Sequence, residues 1–291
     1  MSTPVGGPSA NERVAIRRCA LAVSVLSDLD IRPAEGGIVL PGLPEIFVSD
    51  DELCTAVAGA DPETGRARRR LGRWLVARRA VAERSLDELA ETIRPVGLPI
   101  DHELHPGPAW VREPVLGGCL DLGAGFVGLD EDDRDRVVVV PQSVLDATGV
   151  DPTPWWRGAT EYLENMGALA TTRWRRAPSV ALRPMGDCDV VTLLGSMTLR
   201  AAIVDDQADG MRAVAVPMRS RGWLDLTRVD PAFSAAAARL TAPDERGFSR
   251  PLLVTREEVA LAPEGGDTVR PVIEDRIAPV IDLRDVLYHR M

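Results

Sequence analysis

The stretch RPMGDCDVVTLLGSMTLRAA (residues 183–202) sets a cysteine between two aspartates at the head of an apolar run. The spacing of Val190, Leu193, Leu194, Met197 and Leu199 predicts a helix running to about Val204 with one apolar face. Asp187 or Asp189 can cap that helix, because a carboxylate accepts the unpaired amides of a first turn. Cys188 then has two readings. A helix N-terminus favours thiolate over thiol, which suits a nucleophile. Cysteine is equally a small apolar side chain suited to a packed core.

Working outward from this stretch, residues 154–176 read as a helix carrying Trp155, Tyr162, Leu163, Met166 and Leu169. Residues 211–218 read as a strand, followed by a short helix over 230–240 and several short strands before Leu287. Residues 119–122, 126–129 and 137–140 read as three strands separated by a glycine turn and an acidic loop. Strands, then helices, then strands argue for an α+β domain with a small, mostly antiparallel sheet over residues 115–291. Residues 1–94 form a mainly helical N-terminal region. Its first helix, to about Leu29, has Val14, Leu21, Val25 and Leu29 as its apolar stripe beside Arg17 and Arg18. Ser85-Leu86-Asp87-Glu88 has the spacing of a capping box. Residues 95–114, rich in proline, read as a linker.

Composition excludes several chemistries. All 34 cationic side chains are arginine, and the chain contains no lysine. A guanidinium stays protonated, so a Schiff-base lysine, a Walker A lysine and a kinase strand lysine are all ruled out. Imidazole chemistry has three candidates, His102, His105 and His289. A net charge of −10 argues against broad nucleic-acid binding. No long uncharged apolar run is present, so no membrane span is expected. The pair Arg17-Arg18 before an apolar run reads as part of an amphipathic helix rather than an export signal, and the expected location is the cytoplasm.

Other motifs give way to plainer readings. Gly123-Ala124-Gly125-Phe126-Val127-Gly128 has the dinucleotide spacing, but an acidic loop and a strand follow it instead of a helix. Glu131, Asp132 and Asp133 lack the glycine and terminal glutamate of a calcium loop. Asp101-His102-Glu103-Leu104-His105 does not place two histidines four apart on one helix, and it reads as a surface linker. Neither metal nor cofactor is expected. Arg66, Arg69, Arg70 and Arg73 crowd one helix that has no acid between Arg66 and Ala82, which makes a candidate contact face for a protein partner.

Gly186-Asp187-Cys188-Asp189 and the run after it resemble the cysteine motif of the transglutaminase-like superfamily. The resemblance implies a papain-like α+β fold in which a nucleophilic cysteine begins a helix packed on a sheet. Residues 210–216 are similar to the strand that follows that helix in the family. Residues 219–231, RSRGWLDLTRVDP, are similar to its tryptophan-containing turn before a catalytic aspartate. The resemblance covers residues 154–231. The family's histidine position falls near Met211, and no histidine lies between Cys188 and Val286. Asp225 or Asp230 takes the aspartate role, and His289 serves as base only if the C-terminus folds back; His102 or His105 would approach from the linker side. Two functions follow. One is a binding or regulatory protein with a degenerate transglutaminase-like module. The alternative is a cysteine-dependent peptidase or acyl transferase using Cys188, with His289 as base and Asp225 or Asp230 in support.

Overall fold

The structure, a computed structural model, describes residues 9–26, 29–57, 59–102, 105, 112–114, 117–130, 136–176, 181–224 and 228–262. Helix α1 (Ala10–Leu26) leads into strands β1 (Arg32–Ala34), β2 (Gly37–Leu40) and β3 (Ile46–Ser49). Helices α2 (Asp50–Ala56), α3 (Gly65–Ala82) and α4 (Leu86–Thr92) follow. Next come β4 (Ile93–Pro99), β5 (Arg112–Pro114), β6 (Leu120–Val127), β7 (Val137–Val139), α5 (Gln142–Thr148) and α6 (Thr153–Arg176). After them lie β8 (Ala181–Leu182), α7 (Val190–Leu193), α8 (Met197–Val204) and β9 (Arg212–Met218). The last described elements are β10 (Arg221–Trp223), α9 (Pro231–Leu240), β11 (Leu252–Val254) and β12 (Val259–Leu261).

The class is α+β. One antiparallel sheet has the order β1-β2-β3, and a second has the order β12-β11-β9-β10-β8 with every pair antiparallel. A third has the order β4-β6-β5, with β7 also paired to β6. The described residues divide into two compact units that interleave along the chain. One draws on 1–96, 103–112 and 123–162, the other on 97–102, 113–122 and 163–291. The stretch expected as a linker contains β4, whose Val96 and Leu98 are buried. Pro95 and Pro99 disguise that strand, since proline withholds a ladder donor and reads as a break.

In the first unit, Ile16, Ile38, Leu53, Trp74, Phe126 and Leu145 meet in one core. Helix ends follow their local chemistry. Ser49 and Ser85 each close a capping box with the glutamate three residues on, and Thr64 caps α3. Helix α1, however, buries Ile16, Cys19, Ala20 and Val23, the face opposite to the expected stripe. Two apolar faces compete on this helix. Arg18 interrupts the Val14–Leu21–Val25 side, whereas burying the other lets Arg17 reach the buried Asp50 at the start of α2, with Nε to Oδ1 at 2.6 Å. That guanidinium hydrogen-bonds to Asp50 and holds its carboxyl below the usual value.

Two further expectations change. Gly123 and Gly125 lie inside β6 and form no turn, so the two strands expected over 119–129 are one. A Cβ on Gly125 would sit 2.5 Å from Val96 Cγ2 and 2.8 Å from Val137 Cγ1, so the glycine permits close strand packing. In the second unit, the helix expected from Cys188 to Val204 is two helices, α7 and α8, broken at Gly195-Ser196. Buried Arg200 donates to the carbonyls of Leu194 and Gly195, at 2.7 Å each, and to that of Arg256 at 3.0 Å. The guanidinium thus takes the carbonyls that a continuous helix would have used, and Ser196 caps a fresh start by accepting the Leu199 amide.

Candidate functional site

The cysteine turn is built by its neighbours. Strand β8 pairs with β10 through Leu182 and Gly222, which delivers the chain to a tight reversal at Gly186, φ 53°. There Met185 and Cys188 exchange backbone hydrogen bonds of 2.9 and 3.1 Å. Asp189 is the cap that the sequence offered: one carboxylate oxygen accepts the Thr192 amide at 2.7 Å. Its other oxygen accepts from Arg219 Nε at 2.6 Å, and the Arg219 carbonyl accepts the Val190 amide at 2.8 Å. Thr192 in turn accepts the Gly97 amide at 2.8 Å. Asp189 is therefore committed to structure at both oxygens.

Cys188 sits at the centre of this turn with 0% exposure, and the helix after it has four residues. One turn of helix offers a fraction of the dipole that a long helix brings to a thiol. None of the four cysteines is in a disulfide. The Cys119 Sγ donates to the Val259 carbonyl at 3.0 Å, and burial pushes that thiol up to about 11, so it stays protonated near neutral pH.

Of the other residues named for catalysis, Asp230 caps α9 by accepting the Ala232 amide at 2.8 Å. His289 and Asp225 lie outside the described residues, as does the acidic loop at Glu131 to Asp133. His102 and His105 are both buried, in contrast to the surface linker expected there, and the His102 amide donates to the Pro99 carbonyl at 2.9 Å. Among the described residues no group of three His, Cys, Asp or Glu side chains is placed to hold a metal ion. Trp223 of the expected tryptophan turn, Arg228 and Phe233 of α9 form a cluster. Trp223 and Phe233 meet edge to face at 5.5 Å, and Arg228 lies 5.8 and 5.1 Å from their ring centres.

Glu164 on α6 is a residue that sequence reasoning missed. Its carboxylate accepts from the Ser196 hydroxyl, the Met197 and Thr198 amides and the Thr198 hydroxyl at 2.7–3.1 Å, closing the N-terminus of α8. A cap supplied from another helix leaves no short-range spacing to find. Burial pushes the Glu164 carboxyl up, but the hydrogen bonds from Thr198, Met197 and Ser196 outweigh it and leave the value below that of ordinary glutamate. A lowered folded value means that this stabilisation is present above the unfolded value and disappears as pH falls through the folded one. Glu164→Gln is expected to destabilise the protein by about 1–2 kcal/mol near neutral pH. In thermal unfolding, that difference shrinks toward zero in acid, where the native side chain is protonated too.

On the first unit, Arg66, Arg69 and Arg73 are exposed along α3 and Arg70 is half-buried. Arg78 donates to the Ala147 carbonyl at 3.2 Å, Arg79 pairs with Glu83 at 3.2 Å, and Arg84 donates to the Gly128 carbonyl. The chain matches no family model, no curated protein and no solved structure. No described helix is long and apolar enough to cross a membrane.

Proposed function

We propose that this chain is a binding or regulatory protein of the cytoplasm, with a degenerate transglutaminase-like module in its second unit. Its contact surface for a protein partner is the arginine face of α3. The observation that carries the reading is the 0% exposure of Cys188 inside a turn pinned by Met185, Asp189 and Arg219. A nucleophilic thiol must come within about 3–3.5 Å of a substrate carbon, which a packed sulfur does not do. The resemblance of residues 154–231 to the superfamily supports the module. Exposure of Arg66, Arg69 and Arg73 in a chain of net charge −10 supports the contact face.

Alkylation by iodoacetamide separates this reading from the cysteine-dependent peptidase or acyl transferase. In the native protein near neutral pH, peptide mapping is expected to find half-buried Cys54 modified first. Cys188 should react at least about tenfold more slowly than an unfolded-chain cysteine. Rapid modification at Cys188, lost in Cys188→Ser and accompanied by ester or amide turnover, would overturn the proposal in favour of acyl transfer.

A further inference from the structure

In the second unit, strand β11 lies between β9 and β12, and its Leu253 stands opposite Ala213 on one side and Ala260 on the other. Directly opposed residues share a sheet face, so these three project together, with Met211 and Ala262 two residues along on their strands. Ala215 and Trp223 are opposed further along the same face, and there Phe233 of α9 covers Trp223. Arg212, Val216 and Gly222 belong to the opposite face. Arg212 donates to the Ile203 carbonyl of α8 at 3.2 Å, and a Cβ on Gly222 would lie 3.1 Å from Val190 of α7. Helices α7 and α8 thus lie against that face, and α9 against one end of the first. At its other end, Leu253 and Ala262 form a small cluster of their own with Met211 and Ala213. Leu253 is 7% exposed and Ala262 1%, while Met211, Ala213 and Ala260 are half-buried. Two methyl groups and a half-buried methionine flank a leucine without roofing it, so this end of the sheet needs a further layer.

The chain continues from this very place. Ala262, a member of the cluster, is the last described residue, and residues 263–291 follow it. Pro263-Glu264-Gly265-Gly266-Asp267 has the composition of a turn, which lets a chain reverse over its own sheet. Residues 263–271 can span up to about 30 Å, against about 10 Å from β12 across to β9. Between Val272 and Leu287 the sequence holds eight large aliphatic residues, a density that belongs to packed segments and not to solvated ones. We propose that residues 272–287 dock on the Met211, Ala213, Leu253 and Ala260 face of their own chain, as a C-terminal strap that completes the second unit. A tether this short holds the strap at an effective concentration on the order of millimolar, which favours it over a separate partner. The inference is independent of the contact reading of α3.

The test uses the full chain and trypsin, which in a lysine-free protein cuts after arginine alone. The Arg276–Ile277 bond lies inside the proposed strap. Its cleavage, followed by mass spectrometry, should be at least about tenfold slower in the native protein than in a synthetic peptide of residues 268–291. Val280→Ser/Ile281→Ser/Leu287→Ser, which alters no described residue, should bring cleavage to within about threefold of the peptide's rate. Met211→Glu/Ala213→Glu should do the same, whereas Leu169→Glu on the exposed side of α6 should not. In the strap variant, hydrogen exchange should quicken in β11 and β12 and not in α6, which locates the face even if Met211→Glu/Ala213→Glu fails to fold. Cleavage as fast in the native protein as in the peptide, or unchanged by the strap variant, overturns the proposal. Faster cleavage of the strap variant without faster exchange in β11 and β12 puts the segment on another surface and overturns this face. Protection that falls on dilution assigns the segment to a second copy and overturns docking within one chain.

Discussion

Replacing Trp74 by alanine is expected to remove about 3–5 kcal/mol of stability, the range for deleting a buried large aromatic side chain. Trp74 is 1% exposed and faces the core of the first unit from α3, among Leu53, Leu71, Phe126 and Leu145. Its indole N–H donates to the Ser143 hydroxyl of α5 at 2.9 Å, which orients the ring as well as burying it. Alanine leaves a cavity and takes away the hydrogen-bond partner of Ser143. The two losses separate experimentally. Trp74→Phe keeps most of the volume and loses the donor, while Ser143→Ala removes the acceptor at a cost of about 1–2 kcal/mol. Urea unfolding followed by far-UV circular dichroism should rank them Ala, then Phe, then Ser143→Ala. A Trp74→Ala protein with an unchanged midpoint would refute the packing described for α3 and α5.

The second large effect is expected at Gly97, where a methyl group has nowhere to go. A Cβ there would lie 2.8 Å from Thr192 Cα, 2.9 Å from its nitrogen and 3.0 Å from the Val191 carbonyl carbon. All three are backbone atoms, so no side chain can swing aside; either β4 or α7 must move. Moving them also stretches the hydrogen bond that the Gly97 amide donates to the Thr192 hydroxyl. Gly97→Ala is expected to destabilise the protein by about 2–3 kcal/mol through overpacking. The same substitution at Gly158, which meets no atom within 4 Å, should be neutral or stabilise α6 by about 0.5–1 kcal/mol. The displacement falls on the helix that follows the cysteine turn, so Cys188 should also alkylate faster in Gly97→Ala than in the parent. A Gly97→Ala protein of parental stability and Cys188 reactivity would contradict the close approach of β4 to α7.

Both effects concern neighbours far apart in the chain, and that separates what could be read in the sequence from what could not. The helix starts were readable. Ser85 with Glu88 and Asp189 before Val190 act within three residues of themselves, and each caps a helix start that its spacing offered, whereas Asp230, read as a candidate catalytic aspartate, also turns out to be a cap. The α+β class was readable too, because the order of apolar runs and turns survives errors in their boundaries. The choice of face on α1 was not. Its two apolar stripes differ little in pattern, and the decision came from Arg17 reaching Asp50, thirty-three residues away.

The glycines of β6 misled for a related reason. Glycine marks a turn when its backbone needs a left-handed conformation, and Gly128 at φ 77° fits that rule. Gly125 is glycine because Val96 and Val137 press against it, a demand that no local spacing announces. The cysteine turn combines both situations. Cys188 and its capping aspartate were visible, whereas the short α7, the Arg200 plug at its end and the Arg219 clamp were not.

By itself, then, the order of residues determined the lysine-free chemistry, the α+β class, the local caps at Ser85 and Asp189 and the cysteine between its two aspartates. Tertiary structure alone decided which stripe of α1 meets the core and which faces water, where β4 runs, and how deeply Cys188 is packed. The physical reason is range. Capping and periodicity act over a few bonds, but burial and ion pairing are decided among segments that only folding brings together.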